Sequence, residues 1–507
     1  MEEPLIEMVN IVKTFPGIVA NDHTNFTLHR GEIHALLGEN GAGKTTLMNI
    51  LYGIYKMDSG VIKVKGKIVN INSPKDAIRF GIGMVHQNFK LIPAHTVVEN
   101  VILGSEKNRV ILDLKKAARE VQALSVSYGL PINPKTEVWK LSMGERQRVE
   151  ILKLLYRRVE VMILDEPTSV LTPQEKKELF SSLKEMAEAG NGIIFITHKL
   201  DEVFEISNKV TVLRKGKTVA SKLTKETSKS ELANLMIGRP VLFELEKKDV
   251  SKGRAVLEVV ELSTAEGSGE MTLKNISFEV REGEIVGVAG IAGNGQKELV
   301  EALTGLRHVD YGKVIVLGKD LTNHSPKTFF EHGVAYIPEE RFGVGAVPGL
   351  SVAENLILKA YRYSPFSNKV FIKHKEVEAF SKSLVEQFEI ATTSINSPVK
   401  FLSGGNIQKV VLARELSSIK GKGAKVIIAM YPTRGLDVGA TEYVRRLFLK
   451  MREAGSGVLL ISEELDELLS VCDRIFVMHE GRIVGEAEAG KADVERIGLM
   501  MAGIKVS

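Results

Sequence analysis

The sequence predicts an α/β protein written twice: two tandem domains, each a parallel sheet with helical connections. Two observations carry this. Short apolar runs that end in glycine alternate with amphipathic stretches such as AAREVQALSVSYG, the pattern of strands joined by crossover helices. The halves also align in five ordered blocks. HRGEIHALLGENGAGKT at 29–45 matches REGEIVGVAGIAGNGQK at 281–297, and GIGMVHQN at 81–88 matches GVAYIPEE at 333–340. KLSMGERQRVEIL at 140–152 matches FLSGGNIQKVVLA at 401–413, EPTSVLT at 166–172 matches YPTRGLD at 431–437, and ITHKLDEV at 196–203 matches ISEELDEL at 461–468. The offset grows only from 252 to 261 to 265, so few residues are inserted and a duplicated domain follows.

Composition sets the class. The 507 residues carry 68 Lys+Arg against 63 Asp+Glu, a balance of +5, with 44% hydrophobic and 26% charged residues. This is ordinary for a soluble globular chain, and a charge surplus so small gives no reason to expect nucleic acid as a partner. Cys472 is the single cysteine, which excludes a disulfide scaffold and any multi-cysteine zinc or iron–sulfur site; it is expected as a small buried apolar side chain. The opening MEEPLIEMVN has neither the basic start nor the long apolar stretch of a secretory signal, and GVLLIS at 457–462 and KVIIAMYP at 425–432 are far too short to span a bilayer, so neither export nor a membrane crossing is expected. The polar, basic stretch FELEKKDVSKGR at 243–254 reads as a junction. The domains are expected at 1–240 and 255–507, joined by a linker at 241–254.

In the first half the apolar run IHALL is followed by GENGAGKT at 38–45 and then by TTLMNILYG. This is a strand, a glycine-rich loop and a helix start in the order of a phosphate-binding P-loop. Gly38, Gly41 and Gly43 let the backbone approach phosphate oxygens, so the loop Gly38, Glu39, Asn40, Gly41, Ala42, Gly43 with Lys44, Thr45 and Thr46 is the expected nucleotide cradle. Lys44 is expected to reach the β- and γ-phosphates and Thr45 to ligate Mg²⁺. VMILDEP at 161–167 reads as a buried strand that delivers two adjacent carboxylates at its end, which a core without a cation or reactant would not tolerate. Asp165 is expected to hold the Mg²⁺ shell, and Glu166 to orient or deprotonate the attacking water. His198 follows another apolar strand, where an imidazole can reach the γ-phosphate.

Between these motifs stand LSMGERQ at 141–147 and LSGGNIQ at 402–408. They resemble the signature loop of the ATP-binding cassette (ABC) proteins, which other P-loop enzymes lack, and the resemblance covers essentially the whole chain. It implies that each half has a RecA-like core, an antiparallel β subdomain and a helical subdomain. It also implies that Gln87 is the Q-loop glutamine near the metal and the transport partner, that His198 is the switch histidine, and that Phe15 stacks on adenine. Cassettes of this family close head to tail, which implies an ATP site built from Lys44, Thr45, Gln87, Asp165, Glu166 and His198 with Ser403, Gly404, Gly405 and Gln408 of the second signature.

The mirror site, paired with Ser142 and Gly144, has lost its chemistry. Gln296, Lys297, Glu339, Met430, Tyr431 and Glu463 stand where the first half has Lys44, Thr45, Gln87, Asp165, Glu166 and His198. No appreciable hydrolysis is expected there, although Gly290, Gly293 and Gly295 remain and Lys297 could stand in for the missing charge. The family usually has aspartate where Thr172 stands; the second half has Asp437. The Met-containing ends LANLMIG and IGLMMAG and Trp139 are expected to be packing residues, and His86 and His95 have no ligand-spaced partners.

The unequal fused pair, with INSPKDAIRFGIGMVHQ and SMGERQRVEILKLLYR, resembles the energising subunit of bacterial simple-sugar importers and, more closely, their nucleoside branch. That resemblance implies work at the cytoplasmic face of the membrane with ATP and Mg²⁺, two integral-membrane permease subunits and an extracytoplasmic substrate-binding lipoprotein. A simple-sugar cargo is the alternative. A soluble twin cassette acting on ribosomes or DNA fits less well: family members that act on ribosomes commonly carry a long basic helical linker and two hydrolytic sites, whereas this linker is about a dozen residues, and the DNA-repair and iron–sulfur members need cysteine clusters that Cys472 cannot supply.

Overall fold

The computed structural model describes residues 3–87, 89–104, 113–168, 171, 173–238, 247–264, 273–291, 293–368, 370–417, 423–501 and 503–504. The chain divides into two compact units, Met1–Val241 and Leu242–Ser507.

The strands of the first unit are β1 (Ile6–Phe15), β2 (Ile18–Leu28), β3 (Ile33–Leu37), β4 (Ser59–Val64), β5 (Lys67–Val69), β6 (Ile82–Val85), β7 (Val161–Asp165), β8 (Gly192–Thr197), β9 (Lys209–Arg214) and β10 (Lys217–Leu223). They form a four-stranded sheet in the order β2-β1-β4-β5 and a six-stranded sheet in the order β10-β9-β3-β8-β7-β6. The small sheet is antiparallel. In the large one β9, β3, β8, β7 and β6 run parallel, with β10 antiparallel at the edge. Every residue of β3, β7 and β8 is buried. That explains their near-continuous apolar sequences, since a central parallel strand is covered on both faces.

A helical layer completes the unit. The helix Leu114–Ser127 buries Ala117, Val121 and Ser125, the four-residue repeat that one apolar stripe of an α-helix requires. The helix Met143–Tyr156 is capped by Ser142, whose hydroxyl accepts from Glu145 N–H while Glu145 accepts from Ser142 N–H. This reciprocal pair fixes where the signature segment becomes helical.

The second unit repeats the plan. Its strands are β11 (Ala255–Ser263), β12 (Ile276–Arg281), β13 (Ile285–Ala289), β14 (Tyr311–Val316), β15 (Lys319–Asp320), β16 (Val334–Ile337), β17 (Val426–Met430), β18 (Gly457–Ser462), β19 (Arg474–His479) and β20 (Arg482–Glu488). The sheets read β12-β11-β14-β15 and β16-β17-β18-β13-β19-β20. Each unit is thus an α/β domain with an added antiparallel sheet and a helical layer, the architecture that the resemblance implied.

Of the packing expectations, Cys472, Met236 and Met501 are buried. Trp139 is a correction: it is no packing anchor but 57% exposed. It sits in the short turn Val138–Lys140, where Val138 takes the buried position. The Trp139 indole N–H donates to Glu137 at 3.0 Å, and the Lys140 ammonium lies 5.0 Å from the ring centre. Among the described residues no helix is long and apolar enough to cross a membrane.

Candidate nucleotide site

The parallel strands of the first unit all end on one side, and the predicted residues gather there. In open α/β sheets this carboxyl edge is where ligands bind. β3 runs into the glycine loop and the helix Lys44–Leu51, β7 ends at Asp165, β8 ends one residue before His198, and β6 two residues before Gln87. Gly43 caps the Lys44–Leu51 helix with φ of 99°. A Cβ there would lie 2.3 Å from Ala20 O, so both the backbone conformation and the close approach of β2 require glycine. Asn21, fully buried, donates to Gly43 O at 3.2 Å and anchors the loop from the other side. Asn21 was not legible as a site residue, because a lone asparagine inside a strand pattern has no motif around it.

Lys44 is buried and folds over its own loop, donating to Gly38 O at 2.6 Å and Glu39 O at 2.9 Å. Thr45 Oγ1 donates to the Asp165 carboxylate at 3.2 and 3.4 Å. Burial raises the Asp165 pKa to about 6, partly countered by the Thr45 hydrogen bond and reinforced by the neighbouring Glu166 charge. A buried carboxylate paired with a hydroxyl and pressed towards neutrality is an oxygen-donor set that a hard divalent cation would satisfy. Thr45 and Asp165 therefore fit Mg²⁺.

Glu166 is held by two partners. Gln87 Nε2 donates to one carboxylate oxygen at 3.1 Å and His198 Nδ1 to the other at 2.8 Å. The histidine contact, foremost, draws the Glu166 pKa down against the effect of burial, keeping it an anion. The structure places the Gln87 amide on Glu166. Glu166 itself adopts φ of 47°, a left-handed conformation unfavourable by about 1–2 kcal/mol for a residue with a side chain. Its N–H donates to Ile196 O at 3.0 Å, which ties the turn to β8.

A further support escaped the sequence reading. Glu202 is buried and accepts from Thr168 Oγ1 at 2.6 Å and Thr197 Oγ1 at 2.8 Å, binding the turn after Glu166 to the end of β8. The second unit repeats it: Glu467 accepts from Thr433 at 2.8 Å and Ser462 at 2.7 Å, and Tyr431 has φ of 45° with its N–H on Ile461 O at 2.9 Å. The repeated LDE of LDEV and LDEL was the available signal. Because the second unit keeps this scaffold while Met430 and Tyr431 replace the two carboxylates, the left-handed turn belongs to the architecture rather than to those carboxylates.

In the second unit the side chains at the corresponding positions make other contacts. Gln296, 1% exposed, donates to Ile291 O at 3.1 Å and accepts from Asn294 N–H at 3.2 Å, closing on the loop that would face phosphate. Lys297 does not turn back as a substitute cation. Its side chain is 69% exposed and lies 4.0 Å from Glu301. Met430 and Tyr431 are buried at the end of β17, where the Tyr431 hydroxyl's pKa is raised by burial and by the charges of Glu463 and Glu339. Glu339 pairs with Arg434.

The second signature is well formed. Ser403 caps the helix Gly404–Leu416, accepting from Asn406 N–H at 3.4 Å, and a Cβ at Gly404 or Gly405 would crowd Arg341 or Ala440. Gln408 is buried one turn on, and its Nε2 has no hydrogen-bond partner. Phe15 ends β1 at 37% exposure, its ring T-shaped to that of Tyr55 with centres 5.3 Å apart and the Lys13 ammonium 5.5 Å from its centre. Asp437 caps the helix Val438–Glu453, accepting from Ala440 N–H at 2.8 Å. Its counterpart Thr172 lies outside the described residues.

Fold and site together define a P-loop ATPase built as a tandem pair. The family model described as "ABC transporter" matches twice, at residues 21–169 and 273–422. The glucose import ATP-binding protein TsgD13 of Haloferax volcanii is 46% identical over 99% of this chain and 96% of its own length. The nucleoside import ATP-binding protein NupA of Lactococcus lactis subsp. cremoris and the guanosine import ATP-binding protein NupO of Bacillus subtilis are each 45% identical over 99% of this chain and 98% of theirs. The solved structure of the RNase-L inhibitor aligns over 99% of this chain and 93% of its own at a TM-score of 0.62, and at 20% identity that likeness shows the fold alone. The chain belongs to the ABC transporter family, as an ATP-hydrolysing component with two cassettes.

Proposed function

We propose that this chain is the ATP-binding subunit of an importer, and that its cargo is a nucleoside. Hydrolysis is assigned to the first cassette alone. One observation carries that assignment: Lys44, Thr45, Asp165, Glu166 and His198 converge on one sheet edge, while the homologous edge holds Gln296, Lys297, Met430, Tyr431 and Glu463.

In this reading Lys44 and the N–H groups from Gly41 to Thr46 bind the phosphates, and Phe15 stacks on the base. Thr45, Asp165 and Gln87 would hold Mg²⁺, which would screen the phosphate charge when bound. Glu166, an anion positioned by His198 and Gln87, accepts the proton of the attacking water, a role worth about 10²–10⁴ in rate. Ser403, Gly404, Gly405 and Gln408 complete the site from the second cassette. The family context supplies two permease subunits and a substrate-binding lipoprotein as partners, with this chain at the cytoplasmic face.

The nucleoside assignment is supported by NupA and NupO, whose names specify nucleoside and guanosine import. The sugar alternative is kept by the glucose import relative at 46% identity and a ribose import relative at 40%. Cells lacking the chain, given labelled nucleosides and labelled pentoses in parallel, separate the two. Loss of nucleoside uptake alone is expected. Stimulation of ATP turnover by ribosomes or DNA would instead favour the soluble alternative.

A further inference from the structure

The duplication lets each cassette serve as a control for the other at the segment that follows β6 and β16. The two halves keep one register there, so Phe89 stands in the first unit where Arg341 stands in the second. In the first unit this segment is tied to the middle of the helix Met143–Tyr156, where the buried Glu150 accepts from Lys90 N–H at 2.7 Å. The second unit has Val411 in place of Glu150. Its segment instead sends a cation to the start of the equivalent helix.

Arg341 is half-buried and its backbone is fixed by a tight loop, in which Ala346 N–H donates to Arg341 O at 2.6 Å and Gly345 N–H to Glu340 O at 2.9 Å. The guanidinium reaches two segments at once. It donates to the carbonyl of Arg434 in the turn after β17, and a Cβ on Gly404, at the head of the helix Gly404–Leu416, would lie 3.1 Å from its Nη1. A Cβ on Gly435, in the same turn as Arg434, would lie 3.8 Å from Nη2. Arg434 itself pairs with Glu339, so two arginines cross-link the end of β16, the turn after β17 and the start of the signature helix. Among the described residues no carboxylate hydrogen-bonds to the Arg341 guanidinium; burial lowers its pKa, partly offset by the charge of Asp437. Desolvating a cation for a carbonyl and a glycine is costly. The first unit fills the position with an apolar ring instead.

The two signatures differ in the work assigned to them. In the reading proposed above, Ser403, Gly404 and Gly405 complete the hydrolytic site, whereas Ser142 and Gly144 belong to the one that has lost its chemistry. The arginine stands behind the signature that meets a reacting phosphate. We propose that Arg341 is a positioning residue for ATP hydrolysis, which locks residues 403–405 to the turn 434–437 so that both present one fixed face to the nucleotide. The inference rests on the reading that the second signature completes the first cassette's site, and its test separates the two.

Three variants of the full chain are compared. Arg341→Met keeps the packing of the stem and removes the donor, Arg341→Lys keeps a donor, and Ser403→Asp keeps a helix cap while placing an anion against the phosphate. Phosphate release, equilibrium binding of a fluorescent ATP analogue and the unfolding midpoint are measured for each. Arg341→Met should lower kcat by about 10–100-fold, with nucleotide affinity within about threefold of the parent and an unchanged midpoint. Arg341→Lys should return turnover to within about threefold of the parent, and Ser403→Asp should lower it by about tenfold or more. Turnover of Arg341→Met within about twofold of the parent, with Ser403→Asp impaired, would overturn the role of Arg341 and leave the composite site standing. Undiminished turnover of Ser403→Asp would overturn the composite site and this proposal with it. A loss in Arg341→Met that lysine does not restore, or that follows a lowered midpoint, would also overturn the proposal.

Discussion

His198 Nδ1 stands 2.8 Å from one carboxylate oxygen of Glu166, while Gln87 donates to the other at 3.1 Å. The carboxylate is thereby fixed in orientation and held ionised before any nucleotide arrives. Preorganised acceptors of this kind do not have to reorient when the proton moves.

Glu166→Gln should keep nucleotide affinity within a fewfold while lowering turnover by about 10²–10⁴. Steady-state phosphate release, measured beside equilibrium binding of a fluorescent nucleotide, separates the two effects. Turnover within tenfold of the parent would remove Glu166 from the role of base.

Tyr431→Phe occupies the homologous position and should change turnover by less than about twofold, since the tyrosine faces Glu463 and Glu339 in a site without the metal-binding pair. Equal losses from Tyr431→Phe and Glu166→Gln would mean that both halves hydrolyse.

A non-hydrolysable ATP analogue titrated with Mg²⁺ should bind at one tight, metal-dependent site per chain. Lys44→Ala should abolish it and Gln296→Ala should not, because Gln296 is engaged with its own loop. Calorimetric stoichiometry is the readout; two equivalent sites would contradict the assignment.

Removing Mg²⁺ with EDTA exposes the cost of Asp165. Its folded pKa is about 6 against an ordinary 3.8, so the folded state binds the extra proton between those values. Metal-free stability therefore falls as pH rises through that window. Asp165→Asn should stabilise the metal-free protein by about 1–3 kcal/mol at pH 8 and give no such gain below about pH 4. Denaturant unfolding at both pH values checks the sign.

Glu202→Ala leaves the hydroxyls of Thr168 and Thr197 without their acceptor, at a cost of about 1–3 kcal/mol. It should also slow turnover, because those hydroxyls secure the strained turn at Glu166. Glu467→Ala should destabilise by a similar amount with little effect on the chemical step, seen by comparing unfolding midpoints with kcat.

Much of this is legible in the amino-acid sequence. IHALL–GENGAGKT and VMILDEP were readable because a phosphate loop needs glycine, lysine and hydroxyl residues at fixed local spacing, and a buried strand ending in two carboxylates is chemically conspicuous. Trp139 misled because an apolar residue beside a motif was taken for core, whereas the short Val138–Lys140 turn points Val138 inward and the indole outward. Glu202, Asn21 and the Gln296 closure depend on contacts between segments far apart in the chain or on side-chain orientation, which local spacing does not encode.

The order of residues alone settled the duplication, the α/β class and which half retains the acid–base and metal-binding groups, since those follow from residue type, local spacing and internal comparison. Which carboxylate burial pushes towards neutrality, and which a histidine keeps charged, were decided by the fold. Desolvation and hydrogen bonding act at distances of a few ångströms, and only the folded chain brings residues separated by tens or hundreds of positions within that range.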